Sequence, residues 1–188
     1  MNIANNSRFR ETEKALKKAL LGIMETKKPV ESVTVTELCQ ASGINRKTFY
    51  SHYSIPSDIL FEIEKETLSG AIQYRPNLNG NEYEKAVSLL EYIKEKQAVF
   101  KVLLNTSNRD FVNKLFALSL PTFNRIEFYS EQKNIFQYVK SYTLAGAETI
   151  IREWRNNGFK EGCDTIARLI VQLTKEGIDL SFRFKTIS

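Results

Sequence analysis

Residues 43–53 read Gly-Ile-Asn-Arg-Lys-Thr-Phe-Tyr-Ser-His-Tyr. A core helix of this length would spend several positions on Leu, Ile or Val. This one has a single large pure hydrocarbon, Phe49, among two cations (Arg46, Lys47), three hydroxyl-bearing side chains (Thr48, Tyr50, Ser51) and the only histidine of the chain, His52. Just upstream, Thr34-Val35-Thr36-Glu37 has the spacing of a capping box, in which the Thr34 hydroxyl meets a backbone N–H three residues on and Glu37 reaches back. A helix is predicted to start there, with Leu38, Cys39 and Ala41 facing inward. Gly43 falls where a left-handed C-terminal cap is needed. Ile44 fills the turn, and Asn45 caps a further helix over Arg46–Tyr53.

Helix, glycine-containing turn and short helix make the helix-turn-helix pattern, whose second helix enters the DNA major groove. The odd composition then has a reason. Arg46 and Lys47 lie in the first turn, the part that reaches bases and phosphates, and an arginine can bond a guanine edge bidentately. Thr48, Tyr50 and His52 offer hydrogen bonds to phosphate oxygens. Phe49 and Tyr53, four apart, share a face and can anchor the helix to the body.

Outward from this stretch, helical periodicity dominates and strand alternation is scarce. A first helix is predicted from about Arg8 to Thr26, with Leu16, Leu20, Ile23 and Met24 on one face. Asn6 or Ser7 can cap its start, Lys27 and Lys28 suit its negative end, and Pro29 follows the stop. Pro56 stands near the start of a fourth helix, through about Leu68. Ser69-Gly70 and the run Arg75–Asn81 then break the pattern. Helical stretches follow near 82–95, 97–104 and 109–120, with Pro121 interrupting and 123–129 left open. Two stronger helices close the chain. One, about 132–156, carries Ile135, Val139, Tyr142, Gly146, Ile150 and Trp154 on or near one stripe; the other, about 163–175, carries Ile166, Leu169, Ile170 and Leu173.

Composition and charge agree with this picture. Of 188 residues 42% are hydrophobic, enough for a real core, and 12 Phe with 8 Tyr make it aromatic. The formal charge is +5, and through Tyr53 nine Lys and Arg stand against five Glu, so +4 of it lies in the first third. Such an excess is compatible with a nucleic-acid partner. Arg8, Arg10, Lys14, Lys17 and Lys18 are either a solvated face or, for the first two, a reach toward the DNA backbone. Cys39 and Cys163 lie in no ligand spacing, which argues against a disulfide framework and for a reducing compartment. No apolar signal core opens the chain, and no apolar run nears the roughly 20 residues of a membrane span. The expectation is a cytoplasmic protein with no membrane partner.

The run VTVTELCQASGINRKTFYSHYSIPSDIL, Val33–Leu60, resembles the DNA-binding segment of TetR-family transcriptional regulators. The matching features are Thr34-Val35, Leu38, Ala41-Ser42-Gly43-Ile44, Thr48-Phe49-Tyr50 and His52-Tyr53. With the first helix the likeness covers about residues 8–65. It implies that Thr48, Tyr50 and His52 meet phosphate, that Arg46 and Lys47 set sequence preference, and that Thr34 and Thr36 also touch the backbone; Asn45 belongs to the same DNA-facing set. Where the family usually carries a lysine near the start of the fourth helix, this chain has Ser54-Ile55-Pro56-Ser57-Asp58, and a proline supplies neither an ammonium nor a backbone donor. Tyr142–Leu173 is similar to the last two helices of TetR relatives with a Gly, a Trp and a helix-ending Gly, here Gly146, Trp154 and Gly158.

The fold expected is all-α: a three-helix helix-turn-helix domain over residues 1–54, then a helical ligand-binding and dimerisation domain over 55–188. The resemblance implies a DNA-binding regulator, a repressor released by a small-molecule effector whose identity the residues do not specify. Its partners are a palindromic double-stranded operator and a second copy bound through the last two long helices. A helical adaptor that binds only protein is the competing class, and the basic first third argues against it. A small helical enzyme is the other. The sequence holds no phosphate loop, no His–carboxylate–nucleophile set and no Cys/His cluster, so no catalytic residue, metal site or cofactor is expected.

Overall fold

The computed structural model describes residues 3–26, 29–74, 80–105, 109–119 and 133–183. Among them every regular element is helical: α1 (Ile3–Met24), a 3₁₀ turn (Val30–Ser32), α2 (Val35–Ser42), α3 (Arg46–Tyr50), α4 (Pro56–Gln73), α5 (Glu82–Glu95), α6 (Gln97–Leu103), α7 (Arg109–Ser119), α8 (Lys133–Asn156) and α9 (Cys163–Arg183). None of these helices is long and apolar enough to cross a membrane. Lys27, Lys28, Pro121 and the stretch 123–129 lie outside the described residues, as does the side chain of Ile135.

The chain divides into two compact units, Met1–Thr67 with Ala98–Ser107, and Leu68–Gln97 with Asn108–Ser188. The division falls inside α4, and most of α6 groups with the first unit. The segment up to residue 54 that carries the helix-turn-helix signal is thus the leading part of a larger packed body.

In the first unit α1 packs on α2 and α2 on α3. Leu16, Leu20 and Met24 of α1, Leu38 of α2, Phe49 of α3 and Ile59, Leu60 and Ile63 of α4 are buried, together with Phe100, Val102 and Leu103 of α6. Helix α1 begins at Ile3, before the expected start, so Ser7 does not cap it; its hydroxyl instead donates to Glu11 one turn on. Ala41 faces solvent rather than the core, and the inward side of α2 runs through Val35, Leu38, Cys39 and Ser42. A polar tie joins α1 to α4. Lys17 Nζ lies 3.3 Å from Glu62 and 2.7 Å from Glu66, and the Tyr53 hydroxyl donates to Glu62. Partial burial works against the Lys17 charge, but Glu66 and Glu62 outweigh it and hold its pKa above the ordinary value. Burial likewise opposes the Glu62 carboxylate, yet the Tyr53 hydrogen bond and the Lys17 charge keep its pKa below the ordinary one. Burial and then the bond to Glu62 push the Tyr53 phenol up.

In the second unit α9 packs on α5 and α8, and α5 on α7. Its core holds Leu89, Leu90 and Ile93 of α5, Phe111, Leu115 and Phe116 of α7, Leu144, Ile151 and Trp154 of α8, and Ile166, Ile170 and Val171 of α9. Two expected breaks resolve differently. Ser69-Gly70 does not end α4, which runs on to Gln73; Gly70 is where the Tyr92 side chain crosses, and a Cβ there would collide with its hydroxyl. Asn81 closes its preceding run by capping α5, its side chain accepting from Glu84 N at 3.0 Å while Glu84 accepts from Asn81 N at 3.1 Å. The turn from α8 to α9 has left-handed backbone at Gly158 (φ 73°) and at Phe159 (φ 56°). The second of these is costly, because Phe159 carries a side chain. Trp154 holds the turn. Its indole Nε1 donates to Glu161 O at 2.9 Å, and its ring meets that of Phe159 edge-on at 4.7 Å.

Candidate nucleic-acid interface

The helix-turn-helix is built from local hydrogen bonds. Glu37 N donates to the Thr34 hydroxyl at 3.2 Å, and Glu37 accepts from Thr34 N at 2.8 Å. The expected capping box is therefore present and fixes where α2 starts. Gly43 ends α2 at φ 72°. The Asn45 side chain accepts from Thr48 N at 2.8 Å and starts α3. Phe49 is fully buried and Tyr53 nearly so, their rings 6.4 Å apart, which seats the short helix against the body. α3 ends at Tyr50 instead of Tyr53: Ser51 N and His52 N turn to the Thr48 and Phe49 carbonyls three residues back, the tightened pattern of a last turn, and the Ser51 hydroxyl donates to Thr48 O.

What faces outward on α3 is polar. Asn45, Arg46 and Lys47 are exposed, Thr48 is half-buried, and Tyr50 is 61% exposed with its ring edge-on to Phe49. The hydroxyls of Thr48 and Tyr50 and the Lys47 ammonium have no hydrogen-bond partner among the described residues. A row of unspent donors on a helix seated by its apolar side suits phosphate and base contacts.

Besides Asn45, four expected site residues are engaged within the chain. The Thr34 hydroxyl is committed to the cap, accepting from Glu37 N and donating to Glu37 Oε2 at 2.8 Å. The Arg46 guanidinium donates to the Thr36 hydroxyl across the α2–α3 angle. The fourth, His52, has turned away from the outward row. Its side chain is only 4% exposed, its ring stacks on Phe9 at 3.8 Å, and Nδ1 lies 4.0 Å from Glu13 Oε1 without a hydrogen-bond partner. It ties α1 to the end of α3, a link between residues 43 apart that spacing does not reveal. The readable signal was on α1, where Phe9 and Glu13 share a face. In the loop before α4, Asp58 accepts from Ser54 N (2.9 Å) and Ile55 N (3.0 Å), so those donors are spent internally at the point where a family lysine is missing.

In the second unit large apolar and aromatic side chains lie exposed among polar ones, notably Tyr138 and Tyr142 (81% exposed) on α8 and Leu169 (45%) and Leu173 (48%) on α9. Ile166 and Ile170, expected beside them on one stripe, are buried inside the chain, as is Trp154. A Cβ at Gly146 would meet nothing within 4 Å among the described residues outside its own helix backbone. Between α5 and α9 a groove of about 380 Å³ is lined by Tyr83, Arg168, Val171, Gln172, Lys175 and Glu176, with the Arg168 guanidinium 5.5 Å from the Tyr83 ring centre. No group of three His, Cys, Asp or Glu able to hold a metal occurs among the described residues.

Residues 80–176 match the family model described as the transcriptional regulator C-terminal region, of the TetR type. A curated relative, the uncharacterized HTH-type transcriptional regulator YxbF of Bacillus subtilis (strain 168), is 29% identical over 85 residues; the match covers 42% of this chain and spans only 22% of that protein. The crystal structure of a TetR transcriptional regulator from Streptococcus agalactiae 2603V aligns over 92% of this chain and 98% of its own, at 16% identity and a TM-score of 0.65, and so shares the fold. A structure described as the dihydroxyacetone kinase operon activator DhaS aligns over 90% and 97% at 20% identity, with a TM-score of 0.48, too loose a likeness to bear on function.

Proposed function

The chain belongs to the TetR family of transcriptional regulators and is a DNA-binding regulator, and from that premise we propose that it is a non-enzymatic cytoplasmic homodimer that represses by occupying a palindromic operator and leaves it when a small molecule binds. The observation that carries the DNA-reading part is the outward row on α3. Arg46 and Lys47 read bases; Thr48 and Tyr50 hold phosphates; Asn45 stands at the same end of the helix. Thr34 and Thr36 border that row from the start of α2. His52 contributes by seating α3 against α1 rather than by its own contact. Residues 1–54 are the DNA-reading domain in this functional sense, and 55–188 dimerise and sense.

A recognition helix of five residues covers little DNA, so a symmetric pair is needed. Two-fold symmetry then demands half-sites about 34–36 Å apart, or a multiple of that. The exposed face of Tyr138, Tyr142, Leu169 and Leu173 on the last two long helices supports the second copy's place, and a Cβ at Gly146 has no close neighbour among the described residues outside its own helix. The groove between α5 and α9 is the proposed effector seat. Arg168 and Lys175 face no ion-pair partner among the described residues, which favours a small anionic molecule with an apolar body to lie on Val171 and Tyr83.

Mobility shift on the DNA upstream of its own gene, at low and moderate salt, tests the core of this reading. A retarded, footprintable complex that weakens steeply with salt is expected, since each neutralised phosphate releases counterions. Absence of any shift at low salt would favour a helical protein-binding adaptor.

A further inference from the structure

Arg46 and Lys47 are neighbours of like charge at the start of one helix, and sequence alone gives them the same task. The structure separates them. Arg46 Nη2 donates to the Thr36 hydroxyl, whereas Lys47 is exposed with no partner among the described residues. Both ends of the Arg46–Thr36 bond stand on elements fixed by their own caps. Thr36 sits in the first turn of α2, inside the Thr34–Glu37 box, and Arg46 is the first residue of α3, directly after its Asn45 cap. We infer that Thr36 is a positioning residue for DNA reading: its hydroxyl aims the Arg46 guanidinium, so that the base preference of Arg46 depends on Thr36, while the contact made by Lys47 does not.

The donor count allows this. A guanidinium has five N–H groups in a rigid fork. One is spent on Thr36, and four remain for a bidentate pair with a guanine edge, which needs two. An arginine side chain otherwise has large rotamer freedom to lose on docking. A hydroxyl held by α2 removes part of that freedom before DNA arrives, which is how preorganisation sharpens binding. Lys47, with a flexible stem and a point charge, has nothing equivalent. The Thr36 hydroxyl accepts from Arg46 and keeps its own proton, which it can still give to a phosphate.

This inference rests on the assignment of Arg46 as a base reader. The test uses the full-length protein against a randomised double-stranded DNA library, reading base preference at each position separately from overall affinity. Thr36→Val removes the hydroxyl at nearly constant shape and helix propensity; Thr36→Ser restores it. Preference at the base read by Arg46 is expected to fall about 2- to 12-fold in Thr36→Val, the worth of one side-chain hydrogen bond, and to return in Thr36→Ser. In an Arg46→Ala background Thr36→Val should no longer alter preference, because the pair acts as one unit. A uniform loss of affinity across all sequences in Thr36→Val, the same with or without Arg46, would make Thr36 a phosphate contact and overturn the inference. If Arg46→Ala itself leaves preference unchanged, the base-reader assignment fails, and this inference with it. If Arg46→Ala changes preference and Thr36→Val does not, only the positioning role is lost.

Discussion

Two junctions of this chain use the same backbone device for opposite ends. Gly43 between α2 and α3 and Gly158 between α8 and α9 both adopt left-handed backbone, at φ 72° and 73°. Around Gly43 closure is by side-chain oxygens: Thr34 and Asn45 cap the two helices, and the surface left outside is Arg46, Lys47, Thr48 and Tyr50. Around Gly158 closure is by a buried indole: Trp154 bonds Glu161 O and meets Phe159, and the surface outside the helices it joins includes the large apolar and aromatic side chains of Tyr138, Tyr142, Leu169 and Leu173. A left-handed glycine therefore says that a helix ends and nothing about what the turn is for. The residues that close the junction decide which side chains remain outside, and those decide the partner: polar donors suit DNA, apolar area a second protein surface.

The contrast is sharpest at Trp154. Trp154→Ala should destabilise the second unit by about 3–5 kcal/mol, since it leaves a cavity, an unheld Phe159 and an unpaired Glu161 carbonyl. Thermal melting with a probe on each unit should show the second unit losing cooperativity first; equal loss in both would mean that the indole does not act locally. Next in size is the outer face. Leu173→Glu should yield a folded chain that sediments as monomer and binds operator at least about tenfold more weakly, a coupling of ~1.4 kcal/mol. Ile170→Glu, one turn away but buried, should instead unfold the unit. If Leu173→Glu stays dimeric, the apolar face has another use.

A matched pair tests the shared device itself. Among the described residues beyond the two chain neighbours, nothing lies within 4 Å of a Cβ built on Gly43 or Gly158, so alanine at either meets no steric clash there. What remains is the left-handed backbone, which costs about 1–2 kcal/mol for alanine and less for asparagine. Both alanine variants should lose similar stability by denaturant melting, yet only Gly43→Ala should weaken DNA binding beyond what unfolding explains. Unequal melting losses would show that the two turns are not equivalent.

The smallest effect concerns pH and only the first unit. The Glu62 pKa lies below its ordinary value in the folded state. Its contribution is therefore present above the ordinary glutamate range and fades as pH falls through the folded pKa. Those of Lys17 and Tyr53 are raised. Their contributions are whole below the ordinary Lys and Tyr values and fade as pH rises through the folded ones. Stability of the tie should form a plateau between these limits. Glu62→Gln should flatten the acid side of the first unit's melting profile and leave the second unit's unchanged; an unaltered acid limb would show the tie to be inert.

By itself the sequence determined the all-helical class, the capping box at Thr34–Glu37, the left-handed turn at Gly43, the Asn45 cap and the apolar seat of Phe49 and Tyr53. Each is an interaction between residues at most four apart, so the chemistry and the spacing are both written in one short string. The tertiary structure alone decided that the His52 ring turns in against Phe9 and Glu13, that Arg46 reaches Thr36, that most of α6 joins the first unit, and that Ile170 is inside while Leu169 is out. Successive helical residues point about 100° apart, so an apolar stripe shows that a helix has an inner side, but which edge of a broad stripe faces inward depends on where distant elements lie. Those contacts join residues 10, 39, 43 or more positions apart, and no local period records them.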